Sequence, residues 1–269
     1  MTDKIWSFSR FQIFKTCPKA FWFNMHSNGR SRNLISLNSI VGTIVHKSIA
    51  HLITMWAKGN YVSDKEVKQC GLTLMKRLWE NRNHIIIEYI NEMPPDENIN
   101  TKIQNSINIQ LERFFLYIWP TFSNDSYVTH EKLFELNISG YKVLVRPDLV
   151  TKDLTGNIVI TDWKTGISHD DFLESSQVYG YGLWATNYYG IDPERIILKV
   201  INLRTGRKIG GKFSLEKREE TLERIKSQIK ELDSISQGEI PEAKPEFNKC
   251  KECSHLKFCV DGKRILNKI

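Results

Sequence analysis

The tightest constraint on how this chain folds lies between residues 146 and 166, where RPDLV (146–150) is followed by ITDWKTG (160–166). Both segments sit in stretches rich in β-branched and aromatic residues, and Leu154-Thr155-Gly156 between them supplies a turn. A hairpin is therefore expected, and it brings Asp148 beside the second strand. Strand residues two apart face the same side, so Asp162 and Lys164 project together while Trp163 points away. Two carboxylates and one ammonium then share one place.

That set suits phosphodiester hydrolysis. Carboxylate oxygens bind hard divalent cations such as Mg²⁺ or Mn²⁺. A bound metal activates water and neutralises charge building on the phosphate. A nearby lysine positions the water and stabilises the crowded transition state. Acidic residues at strand ends are common on solvated faces too, so D-x13-D-x-K takes its meaning from its companions.

The rest of the chain alternates helical and β-type patterns. Ser9 is placed to cap a first helix carrying Phe11, Phe14 and Phe21, interrupted at Cys17-Pro18. A second helix covers about 39–57, with Gly42 and His46 on it. Leu72, Met75, Leu78 and Trp79 mark a third, opened by a Ser63/Glu66 capping box. NEMPPDENINTK (91–102) reads as a loop, and Ile103, Ile107, Leu111, Phe114 and Phe115 as a further helix. Strands are expected at 127–138, 141–150 and 157–163, then a helix at 172–189, strands at 195–203 and up to Phe213, and a long helix carrying Leu222, Ile225, Ile229, Leu232 and Ile235. The fold class is α/β, a mixed sheet flanked by helices. The whole chain, 1–269, is expected to be one domain, with 58–124 as helical insertion and 240–269 as a C-terminal segment closing on the N-terminus.

Cysteine usage is uneven. Cys250, Cys253 and Cys259 crowd within ten residues, Cys17 stands near the N-terminus and Cys70 alone. An intracellular C-x-x-C is a metal or redox site more often than a disulfide. Three thiolates call for a fourth ligand, and Cys17 is the obvious candidate. Four thiolates hold either tetrahedral zinc or an iron–sulfur cluster. Cys70 reads as a packing residue, and His255 as a surface residue.

With these motifs in order, the chain resembles RecB-family nucleases of the PD-(D/E)xK superfamily. These include the RecB nuclease domain, the C-terminal domain of AddB and the CRISPR-associated adaptation exonucleases. The resemblance rests on Gly42-Thr43-Ile44-Val45-His46, then Asp148, Asp162 and Lys164, then Gln177-Val178-Tyr179-Gly180-Tyr181. Asp162 stands where glutamate is commoner. The resemblance implies a restriction-endonuclease-like fold, with Asp148, Asp162 and Lys164 catalytic. It further implies that His46, Asp148, Asp162 and the Trp163 backbone carbonyl ligate metal, and that Gln177 and Tyr181 position DNA. Thr16-Cys17-Pro18-Lys19-Ala20-Phe21 resembles the C-P-x-x-F segment of the AddB and CRISPR-associated nucleases. That likeness implies a 4Fe-4S cluster on Cys17, Cys250, Cys253 and Cys259, with zinc the alternative.

The expected activity is metal-dependent DNA exonuclease action, from single-stranded ends, in DNA repair, recombination or CRISPR adaptation. A helicase or CRISPR integrase is the kind of partner expected. The alternative is a DNA-end-binding module with little cleavage of its own. A net charge of +7 suits a polyanionic partner. Basic residues gather near both ends, among them Arg10, Lys15, Lys19, Lys249 and Lys263. No G-x4-G-K-[ST] loop is present, which excludes a helicase of that kind. No run approaches about 18 uninterrupted apolar residues and no secretory leader is evident, so a cytoplasmic protein without membrane association is expected.

Overall fold

The computed structural model of the chain describes residues 4–26, 34–35, 37–80, 85–86, 99–122, 124–166, 176–235 and 240–267. In chain order the first elements are β1 (Ile5–Trp6), α1 (Phe8–Thr16), α2 (Pro18–His26), β2 (Leu34–Ile35), α3 (Leu37–Ala57), α4 (Asp64–Glu80), β3 (Ile85–Ile86) and α5 (Ile99–Arg113). A π-helical turn, Phe114–Ile118, extends α5. Five strands follow: β4 (Ser126–Thr129), β5 (Phe134–Ile138), β6 (Tyr141–Val145), β7 (Leu149–Lys152) and β8 (Ile158–Lys164). Then come α6 (Ser176–Tyr189), β9 (Ile196–Asn202), β10 (Lys208–Lys212), α7 (Leu215–Ile235), α8 (Phe247–Lys251) and α9 (Val260–Leu266).

Local chemistry explains the helix ends. Ser7, two residues before the expected cap, accepts the Arg10 N–H at 3.3 Å. Cys17 then turns extended and Pro18 opens α2, where its missing N–H costs nothing. Phe21 therefore sits on a second helix. The expected box at α4 forms: Ser63 Oγ accepts the Glu66 N–H at 3.3 Å and Glu66 Oε2 accepts the Ser63 N–H at 2.8 Å. Ser63→Ala is expected to lower the melting temperature by about 2–4 °C, the effect of one lost cap in a chain of this size. Calorimetry checks it. Residues 99–102 begin α5 and do not extend the expected loop, whose remainder lies outside the described residues.

The main sheet has five strands in the order β10-β9-β8-β7-β4, with β8 and β9 parallel and the other pairs antiparallel. A smaller sheet runs β1-β6-β5, with β1 parallel to β6. The fold is thus mixed α/β, of the restriction-endonuclease-like kind. Central β8, IVITDWK, is buried along nearly its whole length, as a strand covered on both faces must be. Ile158, Ile160, Leu198 and Val200 join a core with α6 and α7, while Leu149, Trp163, Ile201 and Leu203 join a second core with α3, α4 and α5. Much of the 58–124 segment thus builds core over one sheet face.

Two sequence runs read as single strands each divide between the sheets. β4 and β5 belong to different sheets, and so do β6 and β7. The second break falls at Arg146-Pro147-Asp148, where proline cannot donate to a ladder. The first falls at 130–133, where Glu131 adopts φ +47°. The Glu131 N–H donates to the Pro147 carbonyl at 3.0 Å, tying the two crossings together. Asp148 therefore lies just before β7 and not at the end of the preceding strand.

Helix α3 is apolar and long enough, over Ser39–Ala57, to cross a bilayer by length and composition. Here it packs as a core helix, with Ile44, Val45, Ile49 and Ile53 at 0% exposure.

Candidate active site

The β7–β8 register pairs Leu149 with Thr161 and Val150 with Ile160. One step back along β7, Asp148 stands across from Asp162. The Trp163 N–H donates to Asp148 Oδ2 at 2.6 Å, which fixes the carboxylate on the β8 backbone. Both carboxylates line one cavity of about 370 Å³, with His46, Glu131, Lys164, Gln177 and Tyr181. The Trp163 indole turns to the opposite side, edge-on to Phe114 at 5.1 Å and Phe122 at 5.8 Å. Only its backbone faces the cavity.

His46 arrives from α3. A Cβ at Gly42, one turn earlier, would stand 3.0 Å from Thr165 Oγ1, so glycine lets the helix approach the end of β8. His46 Nδ1 lies 3.2 Å from Asp148 Oδ1 and 3.6 Å from Glu131 Oε1. One ligand atom from each of His46, Glu131 and Asp148 falls within 4.8 Å of the others. Glu131 lies outside the sequence motifs, though its place in the first β-type run lets it join the acidic cluster. Its signal was faint: an acidic residue beside a β-type run, made significant only by a turn whose partner is Pro147.

Asp162 is 2% exposed. Its Oδ1 accepts the Tyr181 hydroxyl at 3.1 Å, while Oδ2 meets Lys164 Nζ at 2.8 Å and accepts no other hydrogen bond among the described residues. Lys164 also donates to Gln177 Oε1 at 2.6 Å, and Gln177 Nε2 donates to Tyr181 Oη at 2.8 Å. Gln177 and Tyr181 share a helix face, as their spacing predicts. Their polar ends turn inward, however, and Tyr181 is 2% exposed. They orient the lysine and the carboxylate.

The donor set fits a hard divalent cation: carboxylate oxygens, one imidazole, and a buried oxygen short of partners. Electrostatics agree. Burial disfavours the Asp148 carboxylate, and the Asp162 charge adds to that; together they outweigh His46 and raise its pKa. For His46, burial opposes charge, but Asp148 overcomes it and holds the imidazolium up to about 10. This raised pKa contributes stability that is complete below the ordinary histidine value and is lost as pH rises through about 10. A metal must displace that proton to reach the imidazole. Mn²⁺ affinity is therefore expected to rise by up to about tenfold per pH unit between pH 7 and 9, with proton release. Titration calorimetry in buffers of different ionisation enthalpy reads it. A pH-independent affinity would remove His46 from the ligand set.

In a separate place, Cys17, Cys250, Cys253 and Cys259 all line one cavity of about 540 Å³. Burial, with smaller contributions from neighbouring cysteines, raises the thiols of Cys250 and Cys253. His255 is not on the surface: it is 2% exposed, stacks on Phe23 and meets Asn24 Oδ1 at 3.1 Å. Several of the basic residues expected to form a positive surface are paired, Lys19 with Asp261 at 2.8 Å and Lys249 with Glu246 at 2.7 Å.

Comparison with known proteins identifies the family. A family model described as the PD-(D/E)XK nuclease superfamily matches residues 5–260, a range that includes the residues of the carboxylate cavity and the four cysteines. Among solved structures, the crystal structure of SSO0001 is similar at 17% identity and a TM-score of 0.34, over 94% of this chain and 95% of that one. No curated protein matches the sequence. The match runs from β1 into α9, and on it the chain belongs to the PD-(D/E)XK nuclease superfamily.

Proposed function

We propose that this nuclease is a Mg²⁺- or Mn²⁺-dependent DNA exonuclease that works from single-stranded ends. The observation that carries the reading is the single cavity where Asp148, Asp162, His46 and Lys164 meet. Asp148 is the shared metal ligand, with Asp162, His46 and the Trp163 carbonyl completing the set; Glu131 joins them through its place beside His46. Bound metal supplies a more acidic water and neutralises charge on the phosphate. The chain's own part is positioning. Asp148 is pinned by the Trp163 N–H, and Lys164 is held between Asp162 and Gln177, so its ammonium is oriented before substrate arrives. Tyr181 and Gln177 keep that arrangement rigid. The preference for ends, and a setting in repair, recombination or CRISPR adaptation beside a helicase or integrase, rest on the motif resemblance.

The four cysteines are proposed to hold a 4Fe-4S cluster. Tetrahedral zinc draws four sulfurs to about 2.3 Å from one ion. All four cysteines border one cavity, which supports a shared metal group; the choice of iron–sulfur over zinc rests on the C-P-x-x-F resemblance. The activity is tested on single- and double-stranded DNA labelled at either end, with Mn²⁺ or with chelator. Labelled mononucleotides should appear early from single strands, and Asp162→Ala should release none. Cleavage only at internal positions, or equal release by Asp162→Ala, would overturn the reading.

A further inference from the structure

Beside the carboxylate cavity lies a second hollow of about 390 Å³, and Arg146, Gln177 and Tyr181 border both. Its other wall is the start of α1, from Trp6 to Ser9. Donors collect there. The first N–H groups of a helix have no partner within it and carry the positive end of its dipole. Ser9 is exposed, with its hydroxyl 3.3 Å from that of Ser7, and Arg146 is exposed on the shared wall.

Trp6 provides an independent observation. It is 1% exposed, forms part of this wall, and its indole N–H has no acceptor among the described residues. A buried indole N–H ordinarily finds a partner, and leaving it unmade is costly. An acceptor seated in the hollow would satisfy it after a small shift of the indole, whose nitrogen has almost no accessible surface in this structure. The described lining contains no carboxylate, so the acceptor it suits is an anion. Phe8 and Leu144 add apolar surface suited to a sugar or base.

We propose that this hollow binds the phosphodiester adjacent to the scissile one, with Trp6 Nε1, Ser9, the α1 N-terminus and Arg146 as its donors. The assignment rests on the nuclease reading for the identity of its neighbour. It makes α1 a specificity element: the strand must thread past this helix for the scissile phosphate to reach Asp148, and the hollow sets the register of the cut.

The test uses the full chain, with Ser9→Asp and Trp6→Phe. A carboxylate in the first turn favours the helix, so Ser9→Asp preserves α1 while repelling phosphate. Anisotropy of a fluorescent single strand, without divalent ion, should show binding about tenfold weaker for Ser9→Asp. Methylphosphonate, which is neutral, is then placed at one linkage at a time. Wild-type protein should lose binding, and cleavage with Mn²⁺, by about tenfold at one linkage, with no further loss there in Ser9→Asp or Trp6→Phe. Additive losses at every linkage, or unchanged binding by Ser9→Asp, overturn the subsite. Should wild-type protein bind but never cut, the nuclease reading falls while the binding series still decides the subsite. Should it not bind, both fall.

Discussion

Lys164→Ala is expected to cut the turnover rate by about 10³-fold or more while changing DNA affinity by no more than about twofold. The ammonium sits 2.8 Å from Asp162 Oδ2 and 2.6 Å from Gln177 Oε1, fixed by two partners inside the cavity. It is therefore preorganised toward charge that develops only in the transition state. Ground-state binding draws on many phosphate contacts, of which this is one, so affinity should barely move. The split separates an enzyme from a DNA-end-binding module. In a binding module the substitution would leave weak residual cleavage where it was, because no step would depend on the lysine. A control is needed, since the change also strips Asp162 Oδ2 of the ammonium 2.8 Å away. Lys164→Arg restores charge without the compact ammonium, and should recover stability and binding but little of the rate. Full activity in Lys164→Ala would remove the lysine from the chemistry.

The site was more legible than the strands around it. Asp162 and Lys164 could be placed together because a period of two is imposed by the pleat itself, whatever the sheet beyond. The Gly42–His46 and Gln177–Tyr181 pairs follow equally from helical spacing. What periodicity cannot show is where a continuous β-type run changes sheets. Residues 127–138 and 141–150 alternate well enough to read as two strands, yet each supplies one strand to each sheet. Pro147 was the available clue, since its ring forbids a ladder bond, but a proline near a strand end also fits an edge.

The least legible residues were those whose setting is made by distant segments. Glu131 owes its position to a bond from its own N–H to Pro147 O across the junction of the sheets. His255 looked solvated among lysines, but α2 covers it with Phe23 and Asn24, more than 230 positions away. Gln177 and Tyr181 suit DNA because amide and hydroxyl groups bind phosphate. The fold also closes them into a ring with Lys164 and Asp162, a use visible only once α6 is laid against β8.

Cys250→Ser is expected to remove any absorbance near about 400 nm and to lower the melting temperature by about 10–20 °C. Cys17 and Cys250 are more than 230 residues apart, and both line the same cavity. On the chain-entropy account, closing so long a loop restricts the unfolded chain by about 5 kcal/mol, and a bound metal group adds its own folding free energy. The ends are also joined without metal. Lys19 reaches Asp261 at 2.8 Å, and His255 reaches Asn24 at 3.1 Å. A part-exposed ion pair contributes little, so these contacts align the ends without replacing the clasp. Loss of colour and stability together would assign the cysteines to an iron–sulfur cluster that staples the fold. A colourless protein that loses zinc and stability would put a single ion there. If purified chain carries neither metal and Cys250→Ser melts where the parent does, the cavity is only packing. The C-terminal segment would then be held by the Lys19 and His255 contacts, and cleavage would be unaffected by its cysteines.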